Sequence, residues 1–68
     1  MIYISEEDKK YVIENIEGAK ELLDSGNLVA LLRAVSDQID YVGFDKDDNF
    51  TEEGYIVQAI YDRLYYNN

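Results

Sequence analysis

Oxygen-bearing side chains recur at every second position in the polar segment that follows Phe44. They belong to Asp45, Asp47, Asn49, Thr51 and Glu53. The calcium loop of an EF-hand begins with the same alternation, but it requires Gly at its sixth position and a bidentate Glu at its twelfth. This chain has Phe50 and Ile56 at those positions. We therefore expect no resident metal, with Asp45, Asp47 and Asn49 as weak candidate ligands. The alternative is a solvated acidic turn that caps the next helix.

Two pairs of carboxylates are spaced for acid–base chemistry, Glu17 with Glu21 and Asp37 with Asp40. Such chemistry needs one carboxyl group kept neutral by burial beside a charged one in a cleft. Both pairs lie opposite apolar stripes, so we expect them to be exposed. The chain has no His and no Cys, which excludes His-based triads, thiol nucleophiles, Cys/His zinc sites and disulfides. We predict that the protein is not an enzyme and uses no cofactor.

Acidic residues are in large excess and are concentrated in one segment. Fifteen Asp and Glu oppose six Lys and Arg, so the formal net charge is -9. Residues 37–53 contribute -6 of this charge, from Lys46 and seven acids: Asp37, Asp40, Asp45, Asp47, Asp48, Glu52 and Glu53. Such a surface disfavours direct nucleic-acid binding and attracts a basic protein surface. We predict that these seven residues bind a partner protein; the alternative is that they only keep the protein in solution.

Tyrosines are concentrated near the end of the chain, where four of the seven lie within the last fourteen residues. Tyrosine combines a large apolar ring with a polar tip and is enriched at protein interfaces. Tyr55, Tyr61 and Tyr65 are therefore candidates for a homodimer or partner interface. Alternatively, these rings cover the edges of a thin helical bundle while their hydroxyl groups reach water.

Apolar side chains repeat at helical spacing in three segments, approximately residues 6–25, 28–42 and 52–66. The first stripe is Val12, Ile16, Ala19 and Leu23, flanked by Ile13 and Leu22. The second is Leu28, Leu32, Val35, Ile39 and Val42, and the third is Ile56, Val57, Ile60 and Leu64. Short turns between the segments predict an all-α fold, a small three-helix bundle forming one domain over residues 1–68. The apolar lead Met1–Ile4 is expected either to lie across the bundle or to pair as a short extended strand.

Side chains that cap helices precede each predicted helix. Ser5, Asn27 and Thr51 are suited to the N-cap position, and Asp8 with Ser5 approximates a capping box. Phe50 and Tyr55 stand on either side of the Thr51 cap at the spacing of a hydrophobic staple.

Glycines indicate where the helices end. Gly26 and Gly43 are each predicted to adopt a left-handed conformation after a helix, and Phe44 is then placed to contact Ile39 as in a Schellman motif. Gly18 falls within the first predicted helix, where we expect it to allow another helix to approach closely.

The sequence after residue 42 resembles the C-terminal end of short, uncharacterised proteins of phages and prophages of Gram-positive bacteria. In those proteins the ending resembles a Gly, two or three further residues, a Gln, then Tyr-Asp, an aliphatic residue, Tyr and a closing Asn. The matching positions here are Gly54, Gln58, Tyr61, Asp62, Leu64, Tyr65 and Asn68. The resemblance covers about the last third of the chain. It implies a phage or mobile-element context and carries no established activity.

Apolar runs in the chain are shorter than the roughly 18 to 20 residues of a membrane span, and its start lacks the pattern of an export signal. We therefore expect a cytoplasmic protein. Our hypothesis is a small acidic protein-binding module, such as an inhibitor or modulator that engages the basic surface of a nucleic-acid-handling protein. The alternative is a self-associating assembly component that uses its Tyr-rich last helix.

Overall fold

Four helices make up most of the computed structural model, which describes residues 2–68. They are α1 (Glu6–Asn15), α2 (Ala19–Ser25), α3 (Leu28–Val42) and α4 (Glu52–Asn67). Within those residues no strand forms, and the only extended pairing is an isolated antiparallel bridge between Phe44 and Phe50. The all-α prediction is confirmed, but the bundle has four helices where three were predicted.

The additional helix arises because the first predicted helix breaks after Asn15. Ile16 has extended backbone angles (φ -118°, ψ 113°), and Gly18 is left-handed with a φ of +80°. The interpretation of Gly18 as a point of close helix approach was wrong, because no neighbouring atom lies within 4 Å of the position its Cβ would occupy. Gly18 instead supplies a left-handed conformation that other residues adopt at a cost. The break starts a new helix at Ala19, which is buried together with Ile16.

The predicted N-caps are confirmed. The side chains of Ser5, Asn27 and Thr51 accept hydrogen bonds from the amides three residues further on, at 2.9 to 3.2 Å. These bonds satisfy amides that have no partner within the helix. Gly26 is left-handed after α2, as predicted, with a φ of 72°.

The end of α3 differs from the prediction. Gly43 has right-handed helical angles (φ -79°, ψ -14°), so the left-handed assignment was wrong. Phe44 bridges to Phe50 across the turn, with the two rings 5.4 Å apart, where a Schellman contact to Ile39 was expected. Gly43 also lies against Gly54 of α4, where an added Cβ would come within 2.7 Å of the Gly43 Cα. The close backbone approach expected at Gly18 therefore occurs here.

The core lies where α3 packs between α2 and α4. Its buried apolar residues are Ile2, Val12, Ile16, Ala19, Leu31, Val35, Val57, Ile60 and Leu64. The buried face of α3 is centred on Leu31 and Val35, because α3 contacts helices on two sides; Leu28 and Leu32 lie at its edge. Ile56 of the third predicted stripe is 53% exposed, so it lies outside the core.

Residues 2–4 of the N-terminal lead pack against the bundle and form no strand. Ile2 is buried in the core, while Met1 lies outside the described residues. The Asn68 side chain accepts a hydrogen bond from the Tyr3 amide at 2.8 Å and donates one to the Tyr3 carbonyl at 3.0 Å. The last residue of the chain thereby fixes the lead against the end of α4.

Candidate functional site

The turn between α3 and α4 is closed by hydrogen bonds that its backbone amides donate to the Asp45 side chain and to carbonyl groups of the same turn. Asp45 Oδ1 accepts from the amides of Asp47 and Asn49, at 2.8 and 3.0 Å. The Asp45 amide donates to the Asn49 carbonyl at 3.0 Å, and Asp48 has a left-handed φ of 61°. This arrangement is an Asx turn, in which a short acidic side chain replaces a backbone acceptor.

The cation hypothesis concerned this same turn. One carboxylate oxygen of Asp45 accepts hydrogen bonds from two backbone amides, and these bonds close the turn. Across residues 2–68, no group of three or more carboxylate, His or Cys side chains is placed to hold a metal ion. The side chains of Asp45, Asp47 and Asn49 are exposed. The geometry of the turn is thus accounted for by protein contacts.

The seven acidic residues predicted to bind a partner all have exposed side chains, and we call them the acidic surface. They are Asp37, Asp40, Asp45, Asp47, Asp48, Glu52 and Glu53. The first two lie on the second half of α3, the next three on the turn and the last two in the first turn of α4. Glu52 and Glu53 also complement the positive end of the α4 dipole. The seven residues, which are close together in the sequence, therefore all lie on or next to the connection between α3 and α4.

Three aromatic rings occupy the same connection, and we call them the aromatic cluster: Phe44, Phe50 and Tyr55. Phe50 packs edge-on against both others, with ring centroids 5.4 Å from Phe44 and 4.7 Å from Tyr55. The contact with Tyr55 confirms the predicted hydrophobic staple. Phe50 is half-buried, whereas Phe44 is 49% and Tyr55 65% exposed. The cluster thus presents two open rings beside the acidic surface.

Thr51 holds this connection in place. Its hydroxyl donates to the Val42 carbonyl at 2.6 Å and accepts from the Gly54 amide at 2.9 Å. Its own amide donates to the Gly43 carbonyl at 2.7 Å. One residue, next in the chain to Phe50 of the aromatic cluster, therefore links the end of α3 to the start of α4.

The tyrosines predicted to form an interface are divided between two ends of α4. Tyr55 belongs to the aromatic cluster, while Tyr61 and Tyr65 stack with nearly parallel rings 6.5 Å apart. Tyr65 lies ten positions after Tyr55, or about 15 Å along a helix. Tyr61 is partly buried against the core, and Tyr65 is exposed together with Tyr66. The three residues do not form one continuous patch.

An ion pair that sequence reasoning missed joins α1 to α4. Arg63 donates from Nε and Nη2 to the two carboxylate oxygens of Asp8, each at 2.8 Å. These hydrogen bonds lower the pKa of Asp8, although its burial acts in the opposite direction. A signal was present, because Asp8 precedes Val12 by four residues and so shares the buried face of α1. A groove of about 430 Å³ lies beside the pair, and its only charged side chains, Asp8 and Arg63, bind each other.

Tyr11 makes a second polar contact from α1. Its hydroxyl donates to Glu53 Oε2 at 2.7 Å and accepts from Gln38 Nε2 at 3.4 Å. Burial raises the pKa of Tyr11, and the hydrogen bond to Glu53 acts in the same direction. One hydroxyl group therefore connects α1 to both α3 and α4, and it orients one carboxylate of the acidic surface.

Comparison of the chain with protein-family models, with curated proteins and with solved structures gives no match. None of the helices described over residues 2–68 combines the length and the apolar character needed to cross a bilayer. The resemblance to phage proteins thus stays a prediction from the sequence.

Proposed function

We propose that the protein is a cytoplasmic binding module, encoded by a phage or prophage, that acts on another protein without catalysing a reaction. Its acidic surface would engage a basic surface of a nucleic-acid-handling protein, as an inhibitor or modulator. The supporting observation is that seven carboxylates are exposed around one connection in which Lys46 is the only basic residue. Complementary charge of this kind accelerates association and selects partners.

The aromatic cluster adds to the argument from charge. Charged groups at the rim of an interface mainly affect association rates, whereas buried aromatic anchors supply much of the affinity. Phe44 and Tyr55 are open rings next to the acidic surface. The connection between α3 and α4 therefore combines charged groups, which accelerate association with a partner, with exposed apolar area, which stabilises the complex once it has formed.

Capture of a partner from host lysate, followed by salt titration, tests this proposal. We expect retention to fall steeply between about 0.1 and 0.5 M salt, because exposed charges are screened over this range. The variant Asp37→Asn/Asp40→Asn/Asp47→Asn should weaken binding by about 10-fold or more. A control with the same change in charge, Glu14→Gln/Glu17→Gln/Glu21→Gln, alters exposed residues of α1, of α2 and of the turn between them. An affinity that does not change with ionic strength, or that falls by the same factor in both variants, would contradict the proposal.

Self-association is the second candidate function, and the exposed rings of Tyr65 and Tyr66 favour it. These rings pack edge to face 5.3 Å apart in the last turn of α4. A two-fold interface would bring this patch against its own copy. Sedimentation over a range of concentrations tests the idea, and a strict monomer at high micromolar concentration would exclude it.

A further inference from the structure

The aromatic cluster presents ring surface that the fold itself does not use. Phe50 contributes to holding the connection together, since both neighbouring rings pack against it. Phe44 and Tyr55 remain about half and two thirds exposed, at 49% and 65%. A single exposed aromatic ring is common on protein surfaces, but two rings held by a third form a defined apolar surface.

Contacts within the protein restrain these rings. The Phe44 and Tyr55 rings both pack against the Phe50 ring, the Phe44 backbone bridges to Phe50, and Tyr55 lies in the first two turns of α4. Thr51 and the contact between Gly43 and Gly54 join the two helices beside Phe50. Preorganised groups lose little conformational entropy on binding. The open rings are therefore suited to recognition.

A carboxylate lies beside one of the two open rings. Glu52 precedes Tyr55 by three residues, so their side chains are neighbours on the surface of α4. A ligand group that covers the Tyr55 ring would therefore lie near the Glu52 carboxylate. Asp45, which follows Phe44 in the chain, uses one carboxylate oxygen to accept hydrogen bonds from the turn amides. The group that fits best is flat, cationic and able to donate parallel hydrogen bonds.

We propose that the aromatic cluster makes the acidic surface selective for arginine over lysine side chains of a protein partner. The guanidinium group is planar, stacks on aromatic rings and binds carboxylates through two parallel donors. The lysine ammonium group is a compact, strongly hydrated charge that gains less from a ring face. This inference rests on the proposed function, because it specifies which basic side chains the acidic surface binds.

Titration calorimetry with two peptides of equal charge, an oligo-arginine and an oligo-lysine of about six residues, tests the inference. We expect the arginine peptide to bind at least about five-fold more tightly. Guanidinium groups also favour carboxylates without any ring, so the decisive comparison is with Phe44→Leu/Tyr55→Leu, which keeps every carboxylate. In this variant the preference should fall at least two- to three-fold. Tyr66→Leu, which removes an exposed ring at the far end of α4, should leave the preference unchanged.

The outcomes distinguish failure of the inference alone from failure of the proposed function. If both peptides bind equally, or if the double variant keeps the full preference, the arginine inference is wrong while the acidic binding surface stands. If neither peptide binds at low salt, both are wrong. Tyr55→Leu alone provides a second variant should the double substitution lower the melting temperature, because this side chain is mostly exposed.

Discussion

Asp8 is the only charged residue that is buried among residues 2–68, with 6% of its surface exposed. Both oxygens of its carboxylate accept hydrogen bonds from Arg63, and its backbone amide separately donates one to the Ser5 hydroxyl group. Arg63 keeps about half of its side chain in solvent. The energetic contribution of the pair therefore comes mainly from satisfying the buried carboxylate.

Asp8→Asn should lower the free energy of unfolding by about 1 to 2 kcal/mol, because one charge-assisted contact with Arg63 is lost. The folded pKa of Asp8 is lowered, so its contribution is present above the unfolded pKa and disappears as pH falls through the folded one. Urea unfolding should show a constant difference from the wild type above about pH 5 that narrows below about pH 4. Glu7→Gln, in the same turn and exposed, is the control and should change stability by less than about 0.5 kcal/mol. A difference that persists unchanged at about pH 2 would contradict the assignment.

Gly54 allows α4 to approach the end of α3 because there is no room for a side chain at its position. An added Cβ would lie 2.7 Å from the Gly43 Cα and 3.1 Å from the Phe50 ring. We expect Gly54→Ala to destabilise the fold by about 2 to 3 kcal/mol, as overpacking against backbone does. Chemical unfolding measures the change.

Gly18 provides the matching control for Gly54, because its constraint is conformational and the space around it is open. Gly18→Asn should cost less than about 1 kcal/mol, since Asn tolerates left-handed angles. Gly54→Asn should be at least as damaging as Gly54→Ala. Equal effects of Asn at the two positions would show that the contact between Gly43 and Gly54 is not tight.

At the scale of elements, α1 is held to the other helices by polar contacts at both of its halves. The Asp8 pair lies in its first turn, and the Tyr11 hydroxyl group reaches Glu53 and Gln38 from further along. Its main apolar anchor is Val12, which is fully buried. Hydrogen bonds thus contribute more to the position of α1 than they contribute to the packing of α3 against α4.

Tyr11→Phe removes the hydroxyl group that links three helices, and should destabilise the fold by about 0.5 to 1.5 kcal/mol. Tyr41→Phe is the control, because Tyr41 is 84% exposed, and it should be neutral. The folded pKa of Tyr11 is raised, so its contribution should be lost as pH rises above about 10. Thermal unfolding at several pH values checks both statements. Equal melting temperatures for Tyr11→Phe and the wild type would contradict the assigned role.

The sequence predicted the helix starts well because capping is local. Ser5, Asn27 and Thr51 each bond an amide three residues away, so composition and spacing suffice to find them. The break at Gly18 was missed because an isolated Gly is compatible both with a helix interior and with a left-handed turn. Which of these occurs depends on whether Ile16 and Ala19 can reach the core together, which is a tertiary property.

The exposure of the acidic surface was also predictable, since its seven carboxylates lie within seventeen residues of sequence and all are exposed. The Asp8–Arg63 pair was not, because its members lie 55 positions apart in the sequence. Tyr55 was grouped with Tyr61 and Tyr65 by composition. Helix geometry places it instead with Phe44 and Phe50, whose mutual contact depends on the closure of the turn.

For the molecule as a whole, net charge opposes folding while it favours the proposed binding. A formal charge of -9 on 68 residues creates self-repulsion in the compact state. Only one ion pair, Asp8–Arg63, offsets it among the residues that the structure describes. An isolated pair of this kind contributes about 1 kcal/mol or little more. Added salt should therefore weaken the repulsion among the carboxylates more than it weakens this one attraction.

Raising salt from about 0.02 to 0.5 M should therefore increase the melting temperature, by roughly 3 to 8 °C for a domain of this size. Glu14→Gln/Glu17→Gln/Glu21→Gln should show a smaller increase, because it starts with less repulsion. The same salt range should weaken partner binding, so fold and binding are expected to respond in opposite directions. Calorimetry of the free protein alongside the binding titration separates these effects, because binding lost at a salt concentration that stabilises the fold cannot result from unfolding. A melting temperature that falls with salt would show that attractive charge contacts outweigh the repulsion, and would contradict the conclusion that net charge opposes folding.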